Sequence, residues 1–201
     1  QTKQTLPQQQ DANRQLIPVQ VHYFQALDYV EWLSEKTGFK YFLPTEAQWE
    51  YACRAGTTTP YWTGQNINTQ QANFSASFCY GGGLGEDSRH QRTPVNYFQP
   101  NNFGLYDMTG NIEELCDSLY DKNYQGNELK RASELIDITK ARAEFINNLT
   151  ASKLTEKQLN FSIVSRGGNF NSQYDLRSAN RREISCIYTD TPAGFRLVCE
   201  G

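Results

Sequence analysis

The sequence predicts an α+β domain in which irregular backbone outweighs regular ladders, and three stretches carry that expectation. Residues 41–56 read as a short apolar strand running into a well-punctuated helix. Residues 57–104 lose all periodicity and fill with Gly, Asn, Pro, Ser and aromatic side chains. Residues near 127–160 return to helical texture, a local elaboration on the surface of one domain. A chain of 201 residues is long enough for a sizeable single core.

Taken in order, residues 1–15 are rich in Gln, Asn and Thr and are expected to be a flexible lead-in to a single domain over 16–201. The start at Gln1 without Met raises the expectation of a processed precursor or of an upstream domain that precedes this stretch. Leu16 to Val21 is a short extended segment around Pro18. Phe24, Ala26, Leu27, Val30 and Leu33 then recur at helical spacing, predicting an amphipathic helix over 25–36 that Thr37-Gly38 stops. In the next helix Thr45 is the N-cap and Gln48, three residues on, completes a capping box. Pro44 keeps Leu43 extended, Glu46 places a negative charge in the first turn, and Gly56 is the expected stop. Trp49, Ala52 and Cys53 share one face.

Long irregular stretches such as 57–104 need something besides backbone ladders to hold them, and a bound ion would serve. Farther on, Leu129, Ala132, Ile136, Ala143 and Ile146 form a rough apolar stripe over 128–148, with Lys130–Glu134 and Lys140–Glu144 as i,i+4 charge pairs. A second short helix is expected near Ser152 or Thr155, and the whole elaboration is expected to dock on its own domain.

Composition excludes some roles. A net charge of −3 argues against a nucleic-acid backbone as partner. No apolar run reaches the ~18 residues of a membrane-spanning helix. Five cysteines without a Cys-x-x-Cys give no zinc-ribbon signal. They leave open an exported protein with one or two disulfides, slightly preferred, and a reduced protein with buried thiols.

The run Tyr41 to Gly56 resembles the hallmark segment of the formylglycine-generating enzyme (sulfatase-modifying factor) family. Further blocks follow in that family's order: Pro60-Tyr61-Trp62-Thr63-Gly64, Ala72-Asn73, Pro100 through Asn111, Ser165 through Phe170, Leu176 through Arg181, and Ala193 through Val198. The resemblance starts near Pro18 and implies a C-type-lectin-like fold, with the helices near 127–160 as an insertion where the family has a loop. It departs where the family's Val-Trp-Glu-Trp becomes Ile112-Glu113-Glu114-Leu115.

The resemblance also implies two structural calcium sites. Asp107, Gly110, Ile112 and Glu114 fall on one set of ligands, two carboxylates with backbone carbonyls between them. Asn73, Asp87 and the carbonyls of Phe74 and Arg89 fall on the other. A hard cation takes roughly six to eight oxygens in a loose shell, which such turns can supply. Turn capping by Asp107 and Asn73 is the alternative from the residues alone.

Catalysis is where the sequence leaves the family. Formylglycine-generating enzymes hold copper(I) between two cysteines, and the matching positions here are Ser172 and Arg177. Neither is a thiolate, so no copper is expected and sulfatase-cysteine oxidation is not the expected activity. His22 and His90 read as ordinary polar residues. Arg166, Arg177, Arg181, Arg182 and Arg196 read as structural arginines that hold loops. Cys53 coincides with a family cysteine bonded to the C-terminal strand, which implies a Cys53–Cys199 bridge as one possibility beside two buried thiols.

Relatives without the copper cysteines resemble binding modules: variable proteins of diversity-generating retroelements, kinase-associated domains and secretion regulators of bacteria. The resemblance places ligand-binding side chains at Asn169, Asn171, Ser172, Tyr174, Asp175, Arg177, Asn180, Arg182 and Glu183. The expected function is a non-catalytic, calcium-stabilised domain that binds a protein or a small ligand. The alternative is a metal-dependent oxidoreductase of the formylglycine-generating or sulfoxide-synthase type with a non-standard site.

Overall fold

The computed structural model describes residues 16–76, 88–150, 161–186 and 193–200. The lead-in over 1–15, Cys79, Asp87 and the second insertion helix expected near Ser152 or Thr155 lie outside those residues.

Helix α1 spans Tyr23–Thr37 and buries Tyr23, Phe24, Ala26 and Val30 along one stripe, as the spacing predicts. It begins earlier than expected because the Gln25 side chain accepts the His22 N–H at 2.9 Å, and it ends at Gly38 in the left-handed conformation. Strand β1 (Lys40–Phe42) leads into α2 (Glu46–Arg54) through the predicted Thr45–Gln48 capping box. The stop differs slightly: Ala55 already adopts a left-handed φ of 45° before Gly56.

The central sheet is mixed. Strand β2 (Glu113–Leu119) pairs antiparallel with β3 (Ser162–Arg166), which pairs antiparallel with β4 (Arg182–Ser185); on its other side β2 runs parallel to the short β5 (Ala193–Gly194). A separate ribbon joins β1 to β6 (Val198–Glu200), with Tyr41 opposite Cys199. Residues 57–76 and 88–112 are almost wholly loop, as the missing periodicity predicts.

The insertion is helical and docks on its own domain, but it is not one helix. A 3₁₀ turn at Asn127–Leu129, α3 at Ala132–Leu135 and α4 at Ile138–Thr150 are separated by extended residues at Lys130 and Ile136. Each break resets the rotation of the chain, so the expected stripe does not form: Leu129 is 71% and Ile146 52% exposed. Ala132, Ala141 and Phe145 are the side chains that enter the core. Phe145 packs 5.1 Å from Phe24, and Arg142 bonds Asp28 at 2.7 Å. Burying one such ring contributes about 1.5–3 kcal/mol. Because α3 starts after Lys130, Glu134 pairs with Arg131 in place of the expected lysine.

Among the described residues the core falls into three patches. One joins α1, α4 and the sheet. A second gathers Trp49, Cys53, Met108, Cys116 and Val164, and a third gathers Tyr61, Ile67, Ala72, Phe74 and Leu176 beneath the loops.

Candidate functional site

The irregular half of the molecule is held by buried carboxylates, each gripped by arginine. Glu46 is fully buried and receives Arg166 Nη2 at 2.9 Å and both Nε and Nη2 of Arg181. Arg166 also reaches Glu50 at 2.7 Å and the carbonyls of Ser178 and Asn180. Arg181 lies 3.9 Å over the ring of Tyr124. Glu114 accepts the Trp49 indole N–H at 2.7 Å and two bonds from Arg196, at 2.5 and 2.6 Å. Of the arginines read from sequence as structural, Arg166, Arg181, Arg182 and Arg196 all meet a carboxylate.

Glu113 stands where the family has a tryptophan and is buried, accepting the Ser165 hydroxyl at 2.5 Å and Arg182 Nη1 at 2.9 Å. Burial raises its pKa above the usual 4.5 despite those donors. A carboxyl with a raised folded pKa holds its proton better when folded, so ionisation removes stability as pH rises through that pKa. Glu113→Gln, which keeps an acceptor for Arg182, should therefore raise Tm at pH 7. The gain should shrink towards zero in melting curves taken as pH falls below the carboxylate range.

The two sets of residues that the resemblance implies as calcium ligands meet at one crossing of the chain. The Asn111 N–H donates to the Asn73 carbonyl at 2.8 Å, and the Gly110 N–H donates to Gly167 at 2.8 Å. A Cβ on Gly110 would sit 2.2 Å from the Asn73 carbonyl oxygen, so the crossing admits glycine alone. The Asn111 side chain accepts the Thr93 N–H at 2.8 Å and an Asn73 amide proton at 3.1 Å, and donates back to the Thr93 carbonyl.

Both sets contain a buried oxygen with no partner: Asn73 Oδ1 in the first and Asp107 Oδ1 in the second. Native proteins rarely leave such atoms unsatisfied, and a cation is one way to satisfy them. Asp107 holds a left-handed φ of 54° and accepts the Asn96 N–H through Oδ2. Burial, with the neighbouring Glu114 charge adding to it, raises the Asp107 pKa. Glu114 is largely occupied by Arg196 and Trp49, yet its Oε1 takes a single bond at 2.6 Å and keeps a second acceptor position. The donor set is hard oxygen throughout and fits calcium. The Arg196 cation beside Glu114 lowers the negative charge at the second set.

The expected ligand-binding residues divide. Asn169 is buried, its side-chain oxygen taken by the Asn171 N–H, and Ser172 Oγ accepts the Asn169 N–H; these two shape the loop. Asn180 bonds Asp175 at 3.1 Å, and Arg182 reaches Glu113. Asn171, Tyr174, Arg177, Arg182 and Glu183 are exposed.

Cys53 and Cys199 are free thiols, so the implied bridge is not made. Cys53 is buried against the carbonyl of Met108 at 3.5 Å, while Cys199 is exposed on the β1–β6 ribbon. Burial pushes the Cys53 thiol up to about 11, and raises Cys116 and Cys186 as well. His22 caps α1 against the Phe145 ring, and His90 is an exposed loop residue. Among the described residues no three His, Cys, Asp or Glu side chains gather into a metal cluster. No described helix is long and apolar enough to cross a membrane.

Sequence reasoning missed Glu46 and Asn111, the two polar residues that organise the loops. In the sequence Glu46 stands out only as a charge at a helix start. Its signal lay in the paired arginines of the later blocks, too distant in sequence to be linked without a fold.

A stretch of this chain is 36% identical over 103 residues to a serine/threonine-protein kinase, pkn1, of Chlamydia caviae, covering 51% of this chain and 14% of the kinase. Another is 40% identical over 104 residues to the formylglycine-generating enzyme of Mycobacterium tuberculosis, covering 48% of this chain and 31% of the enzyme. The chain therefore matches only a fraction of the length of these relatives. Among solved structures, variable protein 1 of Treponema denticola superposes with a TM-score of 0.61 at 19% identity, over 90% of this chain and 70% of that one, which shows a shared fold. The sequence model described as "Sulfatase-modifying factor enzyme 1-like domain" matches residues 1–200, and the chain belongs to that family.

Proposed function

We propose that this chain is a non-catalytic, calcium-stabilised binding or regulatory domain of bacterial origin that engages a protein or a small ligand through the face around Tyr174 and Arg177. The observation that carries this reading is the loop after Gly168. Where the family resemblance expects two copper-binding cysteines, Ser172 fastens the loop backbone and Arg177 points to an exposed position. The buried cysteines elsewhere carry raised pKa values, and a soft metal needs thiolates. Similarity to part of a kinase and to a variable protein supports a binding or regulatory role of the kinase-associated or retroelement kind. Calcium is supported by the orphaned oxygens of Asn73 and Asp107; when bound it would contribute charge neutralisation and loop order.

Metal analysis and thermal melting of the purified chain test this together. Calcium should co-purify or bind without copper or iron. At a hundredfold excess over its Kd it should add about 2.7 kcal/mol of stability, reversed by chelation. Copper or iron in stoichiometric amount, with oxygen consumption, would instead support the oxidoreductase reading that the 40% identity to a formylglycine-generating enzyme keeps in view.

A further inference from the structure

A cleft of about 640 Å³ is lined in part by Arg89, Arg92, Thr93, Tyr97, Ile17 and Pro94. Seven arginines elsewhere reach a carboxylate, but among the described residues Arg89 and Arg92 reach none. Carbonyl oxygens hold them instead: Arg89 Nη1 donates to Thr69 at 2.7 Å and Arg92 Nη1 to Pro18 at 2.6 Å. A carbonyl orients a guanidinium without cancelling its charge. The Arg89 guanidinium is further fixed 5.6 Å from the Tyr97 ring centre and 5.2 Å from that of Phe98. Two oriented cations that no described carboxylate reaches thus share one cleft, in a chain of net charge −3.

Thr93 supplies the second, independent observation. It is 5% exposed, and its hydroxyl is buried with no hydrogen-bond partner. Its backbone cannot shift to find one, because the Asn111 side chain binds both the Thr93 N–H and its carbonyl. The cleft thus presents two charged forks beside an aromatic and apolar wall, with the idle hydroxyl of the lining residue Thr93 buried behind its surface. We propose that it binds a small oxyanion, a phosphate monoester or carboxylate attached to a flat apolar group. Arg89 and Arg92 would provide charge-assisted donors, Thr93 a hydroxyl, and Tyr97 with Ile17 and Pro94 the surface for the apolar body.

The test is NMR titration of the whole chain with phenyl phosphate and, separately, benzoate at low salt. Binding should move the amide signals of residues 89–97 and weaken as salt is added. Arg92→Gln should weaken it about tenfold. Thr93→Val should weaken it roughly threefold without lowering Tm, since the lost hydroxyl has no partner in the folded chain. That variant keeps the test sound even if Arg92→Gln unfolds. Tighter phenyl phosphate assigns the cleft to phosphate monoesters, and tighter benzoate to carboxylates. If neither probe moves 89–97 at millimolar concentration, or if both variants bind as the parent does, the proposal is wrong.

Discussion

Glu46→Gln should cost about 3–5 kcal/mol of folding stability, read from the urea midpoint at unchanged m-value. The carboxylate is fully buried between Arg166 and Arg181, and Arg166 is itself 2% exposed. Neutralising the acid leaves a buried guanidinium with only Glu50, which is partly exposed, to balance it. Two buried cations facing one neutral amide are poorly solvated and repel each other. The damage should not be confined to α2. Arg166 also binds the carbonyls of Ser178 and Asn180, and Arg181 that of Asp121, so the loop carrying the proposed binding face should loosen as well. Amide exchange across 171–182 would report that loosening. A loss under 1 kcal/mol would mean that the cluster behaves like a surface pair and does not hold the loops.

The second large effect belongs to Gly110→Ala, expected to cost about 2–5 kcal/mol from left-handed strain and overpacking combined. The φ of 73° is unfavourable for alanine, and the added carbon would lie 2.2 Å from the Asn73 carbonyl oxygen. That oxygen is part of the backbone and is already bonded by the Asn111 N–H, so it cannot swing aside. Gly38→Ala separates the two costs. Its φ of 75° is nearly the same, but a Cβ there meets nothing within 4 Å. The Gly38 variant should lose only the strain portion, about 1–2 kcal/mol. Equal losses at the two positions would show that the loop crossing gives way to the added carbon.

Local chemistry was legible wherever a few neighbouring residues decide the outcome. The Thr45–Gln48 box, the α1 stripe and the helix stop at Gly38 each depend on partners within four residues, and each stands as read. The insertion is helical as expected, but its single stripe over 128–148 does not form because breaks at Lys130 and Ile136 leave no mark in an averaged apolar pattern. The Cys53–Cys199 pairing failed for a different reason. Cys53 faces the patch of Trp49 and Met108, and Cys199 lies on an exposed ribbon; side-chain direction is not encoded in spacing between distant residues.

By itself the sequence determined the family blocks, the capped helix after Pro44, the apolar stripe of the helix before it, the irregular middle and the absence of cysteine at 172 and 177. Only the tertiary structure decided that Glu46 and Glu114 are each enclosed by arginine, that Asn111 joins the loops, and that Arg89, Arg92 and Thr93 share a cleft. The physical reason is range. Caps and stripes arise from contacts a turn apart, whereas the energy of a buried charge depends on partners brought from the far end of the chain, 135 residues away for Glu46 and Arg181.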